Sequence, residues 1–247
     1  MRKKIIKWHV GEVSDNGLQC LYSSVTSVQK IYPELECHIL YNNIDMSKLD
    51  SLFNLGIHFH DQKKEYISSF PIAPILNGYQ YFWKLYPPRL DLNSHEISID
   101  NDLVIFDKIK EIDLFLDSED KTLLYQGLHG FHGFFDSYVP NGVRINSGIF
   151  GMPPKFDFIK IMNENFKIDK WRDKHDEQGL VATVLLKSKK YLIIPLTTIP
   201  IVESDFDIDA LTNYLCCGYH FVGLNYKNEH MSWEKYLKNK KKEFKFI

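Results

Sequence analysis

The chain has 247 residues, 44% hydrophobic and 25% charged, an ordinary globular composition long enough to bury one large α/β core or two small ones. A formal net charge of -2 excludes a global attraction to nucleic acid, and no run approaches the ~20 apolar residues of a membrane span. The basic N-terminus lacks the apolar core and cleavage site of a signal peptide. Cys20, Cys37, Cys216 and Cys217 form no Cys-x-x-Cys pair and read as reduced thiols of a cytoplasmic protein.

In chain order, Ile5, Ile6, Trp8 and Val10 mark a first strand, and a polar loop over residues 11–17 follows it. Leu18, Leu21, Tyr22, Val25, Val28 and Tyr32 then recur at helical spacing until Pro33 stops the pattern. Residues 37–41 read as a second strand, 46–55 as a helix and 56–59 as a third strand. That alternation predicts a parallel sheet with crossover helices, in which ligands collect beyond the carboxyl ends of the strands. His9 and the loop after it are therefore a candidate contact for a base or ribose. The loop is not a glycine-rich phosphate loop, since it has neither Gly-x-Gly-x-x-Gly nor a Walker pattern.

Residues 77–86 read as an aromatic-rich helix ended by Pro87 and Pro88. Lys84 and Arg89 precede the next strand, where a phosphate contact competes on equal terms with a plain surface lysine and a salt-bridged arginine. Arg89 is the preferred candidate because its planar fork matches anionic oxygens.

Ile97 and Ile99 then form a strand that runs into Asp100-Asn101-Asp102. Two carboxylates one residue apart repel each other, and a hard divalent cation such as Mg²⁺ or Mn²⁺ relieves the repulsion by taking their oxygens as ligands. Asp-x-Asp is a common pattern, and on these residues alone a solvated turn with two unrelated aspartates is the default reading.

Further on, residues 109–116 are amphipathic, 122–125 strand-like, and 127–136 a loop of glycine, histidine and phenylalanine that is a candidate acceptor contact. Arg144 to Met152 reads as a strand interrupted by Asn146-Ser147-Gly148. A glycine weakens a strand unless backbone or ligand must approach closely there. Residues 155–166 alternate as a helix, and another helix starts at Asp176-Glu177-Gln178. Acidic residues stabilise a helix N-terminus, so capping competes with a ligand-binding role for Asp176 and Glu177. Residues 191–195 are a late strand. His220 lies in an aromatic stretch where a hydrogen-bonded core histidine is the default. The lysine-rich, aromatic C-terminus, residues 231–247, reads as a solvated tail or helix, with contact to an anionic membrane surface as the alternative.

The order of these signals carries more than any one of them. An Arg89-Leu90 segment precedes the Asp100-x-Asp102 strand, followed by Asn146-Ser147-Gly148, the acidic start at Asp176, and His220-Phe221-Val222-Gly223. Together they resemble the A-type nucleotide-sugar glycosyltransferases, most closely the family-eight group that includes lipopolysaccharide galactosyl- and glucosyltransferases and glycogenin. The resemblance implies a single α/β catalytic domain over residues 1–230, with a mostly parallel central sheet flanked by helices and a Rossmann-like nucleotide-binding half. It implies transfer of a hexose from a nucleotide-diphosphate sugar, UDP-based, to a glycan or glycolipid acceptor, with retention of configuration and with Mn²⁺ or Mg²⁺ as cofactor. Asp100, Asp102 and His220 would bind the metal. Arg89, Asn146, Gly148, His9 and Lys227 would contact the donor, and Asp176 and Glu177 would flank the reacting sugar. Glu177 stands where the family usually has glutamine.

Two other readings share parts of this pattern. A sugar-phosphate nucleotidyltransferase would have a basic glycine-rich loop after the first strand, and residues 11–17 contain no lysine or arginine. A non-catalytic nucleotide or carbohydrate binder would keep the metal site without turnover.

Overall fold

The structure is a computed structural model that describes residues 2–65, 80–167, 175–202, 216–224 and 231–243. Its first half follows the order expected from the sequence. Strand β1 (Lys4–Val10) leads to helix α1 (Asp15–Ile31), strand β2 (Glu36–Tyr41), the short helix α2 (Asp50–Phe53), strand β3 (His58–Asp61) and the single turn α3 (Gln62–Glu65). Ser14 starts α1, its hydroxyl oxygen accepting from Gly17 N at 3.1 Å while its O–H donates to Leu224 O at 2.7 Å. The apolar stripe of α1 buries Leu21, Val25 and Val28 against the sheet. Trp8 on β1 is fully buried, and its indole N–H is satisfied by Ser24 Oγ on α1 at 3.0 Å.

After a 3₁₀ turn over Gln80–Leu85 come β4 (His95–Ile99), β5 (Leu103–Ile105), α4 (Lys110–Leu116), β6 (Thr122–Gln126), β7 (Ile145–Met152), α5 (Phe158–Asn165), α6 (Asp176–Leu186), β8 (Tyr191–Ile194), β9 (Ile201–Val202), β10 (Gly218–Phe221) and α7 (Met231–Glu243). Seven strands form one sheet in the order β3-β2-β1-β4-β7-β6-β8, and β5, β10 and β9 form a small second sheet. The pairings from β3 to β4 and between β6 and β8 are parallel. Strand β7 runs antiparallel to both of its neighbours. The sheet is thus mostly parallel, and its one reversed strand matters: the beginning of β7 is set against the end of β4. Asn146 to Gly148 consequently meet Asp100 there, where Asp100 N donates to Gly148 O at 2.8 Å.

One apolar core joins the sheet to α1 and α4 and includes Trp8, Ile97, Phe115 and Tyr125. A second lies under α5 and α6 and includes Phe150, Phe158 and Val181. Helix α7 is anchored to the small sheet by Trp233, fully buried with its ring 5.2 Å from that of Phe221. The basic C-terminal segment expected as a tail or helix is therefore a docked helix over residues 231–243. Among the described residues, no helix is long and apolar enough to cross a membrane.

Lys7 lies on β1 in the middle of the sheet, wholly buried, with Nζ 3.1 Å from Glu96 Oε2 on β4. It also donates to Pro88 O at 2.5 Å, so the charge is paired and hydrogen-bonded as burial requires. Arg89 completes the group from the other side, its Nε 3.5 Å from Glu96 Oε1. Burial raises the Glu96 carboxyl, but Lys7, Arg89 and the backbone N–H groups of Asp91 and Leu90 outweigh it and hold its pKa below the ordinary value.

Candidate active site

The carboxyl ends of β1 to β4 open onto a cleft of ≈ 420 Å³, within the size range of small-molecule sites. His9 and Val10 at the end of β1, Asn42 and Asn43 after β2, Gln62 after β3 and Asp100 to Asp102 after β4 all line it. Asn146 and Ser147 from β7, Glu177 and Gln178 from α6, and His220 from β10 close the other side.

Strand β4 delivers Asp100 and Asp102 because its apolar residues end at Ile99 and the chain turns before β5. Strand β10 pairs antiparallel to β5 with His220 opposite Leu103, and Phe221 N donates to Asp102 O at 2.8 Å. That pairing holds His220 Nε2 at 3.2 Å from Asp102 Oδ1 and 3.7 Å from Asp100 Oδ2. The His220 side chain is 4% exposed, and its Nδ1 makes no hydrogen bond among the described residues. Ligand atoms of Asp100, Asp102 and His220 lie within 4.8 Å of one another. Two carboxylates and an imidazole, converging in a buried corner at the floor of a cleft, fit a divalent cation.

Gly148 explains the odd interruption in β7. A Cβ there would lie 2.6 Å from His220 Cε1 and 2.7 Å from Asn146 Oδ1. Asn146 Oδ1 is fixed by accepting from Gly148 N at 2.7 Å, so neither neighbour is a loose side-chain end. We expect Gly148→Ala to cost about 1–3 kcal/mol through overpacking and to weaken metal binding by displacing His220. Thermal denaturation and a Mn²⁺ titration check both effects; unchanged melting and unchanged Mn²⁺ affinity would contradict the packing.

The cation that reaches the acidic pair is Lys84, not Arg89. Lys84 Nζ sits 2.5 Å from Asp100 Oδ1 and 3.4 Å from Ser147 Oγ. Burial disfavours its charge, but Asp100, Glu177 and Asp102 outweigh that and hold its pKa above the ordinary value. Arg89 lies outside the cleft, and all five of its N–H groups have partners. Nε points at Glu96; the other two nitrogens donate to the carbonyls of Pro153, Phe156, Asp91 and Ser94, at 2.6, 3.1, 2.9 and 2.6 Å. A guanidinium so engaged clamps the β4 approach rather than a ligand.

Glu177 and Asp176 also part ways. The Glu177 carboxylate faces the cleft, with Oε2 accepting from Ser147 Oγ at 3.0 Å and Oε1 buried with no hydrogen bond among the described residues. Burial is the main cause that raises its pKa, with Asp100 adding to it against Lys84 and the Ser147 bond. Asp176, 1% exposed, does not line the cleft; its Oδ1 accepts from Phe134 N at 2.7 Å and so secures the loop before β7. His9 lines the cleft with Nδ1 3.3 Å from Gln62 Nε2, and burial, Lys7 and Lys84 hold it well below the usual imidazole range. Lys227 lies outside the described residues.

Gln62 was not singled out from the sequence, and Ser147 was named only within the Asn146-Ser147-Gly148 interruption, with no role of its own. Gln62 is fully buried and donates to Trp83 O at 2.8 Å and Tyr86 O at 2.5 Å, which seats the turn carrying Lys84. Its only signal was its place just past the third strand, at the carboxyl edge where ligands gather.

No family model and no curated protein matches the sequence. The fold, in contrast, is shared with solved structures. The galactosyltransferase LgtC in complex with donor and acceptor sugar analogs is similar over 95% of this chain and 94% of its own, with a TM-score of 0.58 at 15% identity. Mouse xyloside xylosyltransferase 1 is similar over 92% of this chain and 100% of its own, with a TM-score of 0.57 at 11% identity. The bifunctional glycosyltransferase WbbM matches 91% of this chain with 46% of its own length, with a TM-score of 0.61 at 12% identity. The described sheet, its flanking helices and these likenesses together show a single-domain A-type glycosyltransferase fold of the kind the resemblance implied.

Proposed function

We propose that the protein is a metal-dependent glycosyltransferase that moves a hexose from a UDP-sugar to a glycan or glycolipid acceptor, with retention of configuration. The observation that carries this reading is one cleft at the carboxyl ends of the strands that gathers Asp100, Asp102, His220, Lys84 and Glu177. Likeness to proteins named as galactosyl- and xylosyltransferases supports the reaction class. The retaining outcome and the uridine preference come from the family resemblance.

Asp100, Asp102 and His220 would hold Mn²⁺ or Mg²⁺, which when bound offsets negative charge on the diphosphate leaving group. Every other part of the chemistry belongs to side chains of this chain. His9, neutral and fixed by Gln62, lines the end of the cleft at β1 and contacts the base or ribose. Asn146 and Gly148 border the donor sugar. Lys84 contributes a fixed positive charge where the leaving oxygen becomes anionic, which stabilises the transition state more than the ground state. Glu177 contributes the opposite charge near the anomeric carbon as it becomes oxocarbenium-like. Asp176 holds the loop of residues 127–136 against α6 and thereby shapes the acceptor side.

Release of UDP from a panel of UDP-sugars, with and without Mn²⁺, tests the assignment. The native chain should hydrolyse at least one donor slowly and only with metal. Lys84→Met should lower kcat on the order of 10²–10³-fold, the scale of losing one charge-stabilising donor, with a smaller effect on KM. A Lys84→Met variant as active as the native chain would remove Lys84 from the mechanism. Metal-independent release, or none with any donor, would overturn the reading.

A further inference from the structure

At the other end of the sheet, four side chains meet on one face of two paired strands. Strand β2 begins Glu36-Cys37-His38, and β3 begins His58-Phe59-His60, so alternation sends Glu36 and His38 to one face and His58 and His60 to one face. The register makes them the same face: His38 is directly opposite His58, and Leu40 opposite His60. The His38 and His58 rings stack with centroids 4.6 Å apart. None of the four lines the cleft described above.

We propose that Glu36, His38 and His58 form a second metal site, for a divalent transition-metal cation of the Zn²⁺ class. Their ligand atoms lie within 4.8 Å of one another. His38 is 8% exposed, and its Nε2 is buried with no hydrogen bond among the described residues, 3.8 Å from Glu36 Oε2. The imidazole nitrogen and the carboxylate face each other across a gap that a cation would bridge. On the far side of the ring, His38 Nδ1 lies 2.9 Å from His60 Nε2. With Nδ1–H donating to His60, the Nε2 lone pair is directed to the gap, the outer-shell arrangement that orients metal-binding histidines. Imidazole-rich donors favour Zn²⁺ over the Mg²⁺ and Mn²⁺ that suit the carboxylates of the cleft.

A tetrahedral shell with bonds of ~2.0–2.1 Å needs ligand atoms about 3.4 Å apart. Closing from the present spacing requires movement mainly of His58, which is exposed, and of Glu36, whose side chain is 37% exposed. Lys3 Nζ, 3.4 Å from Glu36 Oε2, is 62% exposed and held by a surface pair, so it yields readily. A bound cation would staple the edge strand β3 to β2.

Zn²⁺ binding to the untagged full chain, measured by competition with a chromophoric chelator, tests the site. The native chain and Asp102→Asn should both retain a tight equivalent that His58→Ala and Glu36→Gln lose. Zn²⁺ should raise the melting temperature of Asp102→Asn but not of Asp102→Asn/His58→Ala. Since His58 is exposed and outside the cleft, His58→Ala should keep the fold and change Mn²⁺-dependent UDP release less than twofold. Equal Zn²⁺ stoichiometry in the native chain, His58→Ala and Glu36→Gln would overturn the proposal, whatever the fate of the transferase reading.

Discussion

Asp102→Asn should cut metal-dependent turnover on the order of 10²–10³-fold while leaving the protein folded. The Asp102 side chain is 9% exposed and lies against His220 Nε2 at 3.2 Å, beside Asp100. The substitution keeps its shape and removes one of two neighbouring negative charges. Loss of that charge relieves repulsion between the aspartates, so the melting temperature should hold or rise. Cation binding, which requires anionic ligands, should weaken at least tenfold, and kcat should fall on the order of 10²–10³-fold, the loss seen when one charge-stabilising group is removed. Circular dichroism and a Mn²⁺-dependent UDP-release assay on the same preparation separate the two effects. A well-folded Asp102→Asn chain with native turnover would remove the aspartate pair from the mechanism.

Glu177→Gln should have the next largest effect, with a diagnostic pH dependence. Because burial raises the Glu177 pKa, the carboxyl stays protonated to a higher pH than a free glutamate does. A role for the anion therefore makes activity fall as pH is lowered through that raised value. Glutamine cannot titrate, so the variant should lose this acidic limb, and its kcat on the plateau should drop on the order of 10²–10³-fold, the scale of losing one charge-stabilising group, even though glutamine is usual here in the family the sequence resembles. Its amide oxygen still accepts from Ser147, which keeps the local packing. If Glu177 only holds Ser147 in place, both the rate and the limb survive the substitution, and the measurement distinguishes the two outcomes.

Much of the cleft was legible in the residues because each signal was local. Strand–helix–strand alternation over residues 4–61 predicted the parallel half of the sheet, and the strand ending at Ile99 placed the aspartates at its carboxyl edge. The glycine in β7 marked either a bulge or a close approach, and the structure shows that a side chain there would meet His220. What stayed hidden depended on burial and on contacts distant in sequence. Arg89 was favoured over Lys84 for its geometry. However, Glu96 and four carbonyls use up the guanidinium, whereas Gln62 anchors the turn that delivers the ammonium. Asp176 and Glu177 are neighbours on a helix with nearly the same propensity. Only the docking of Phe134 N–H on Asp176 shows which carboxylate is left to the cleft. The reversed direction of β7 and the histidine face of β2 and β3 follow from strand pairing, which periodicity does not encode.

The most direct test of the central claim is calorimetric titration of UDP into the purified protein, with and without Mn²⁺. Binding that strengthens at least tenfold when Mn²⁺ is present, and loses that gain in Asp102→Asn, is the predicted result. UDP affinity that is the same with and without metal, or no UDP binding in either condition, would contradict it.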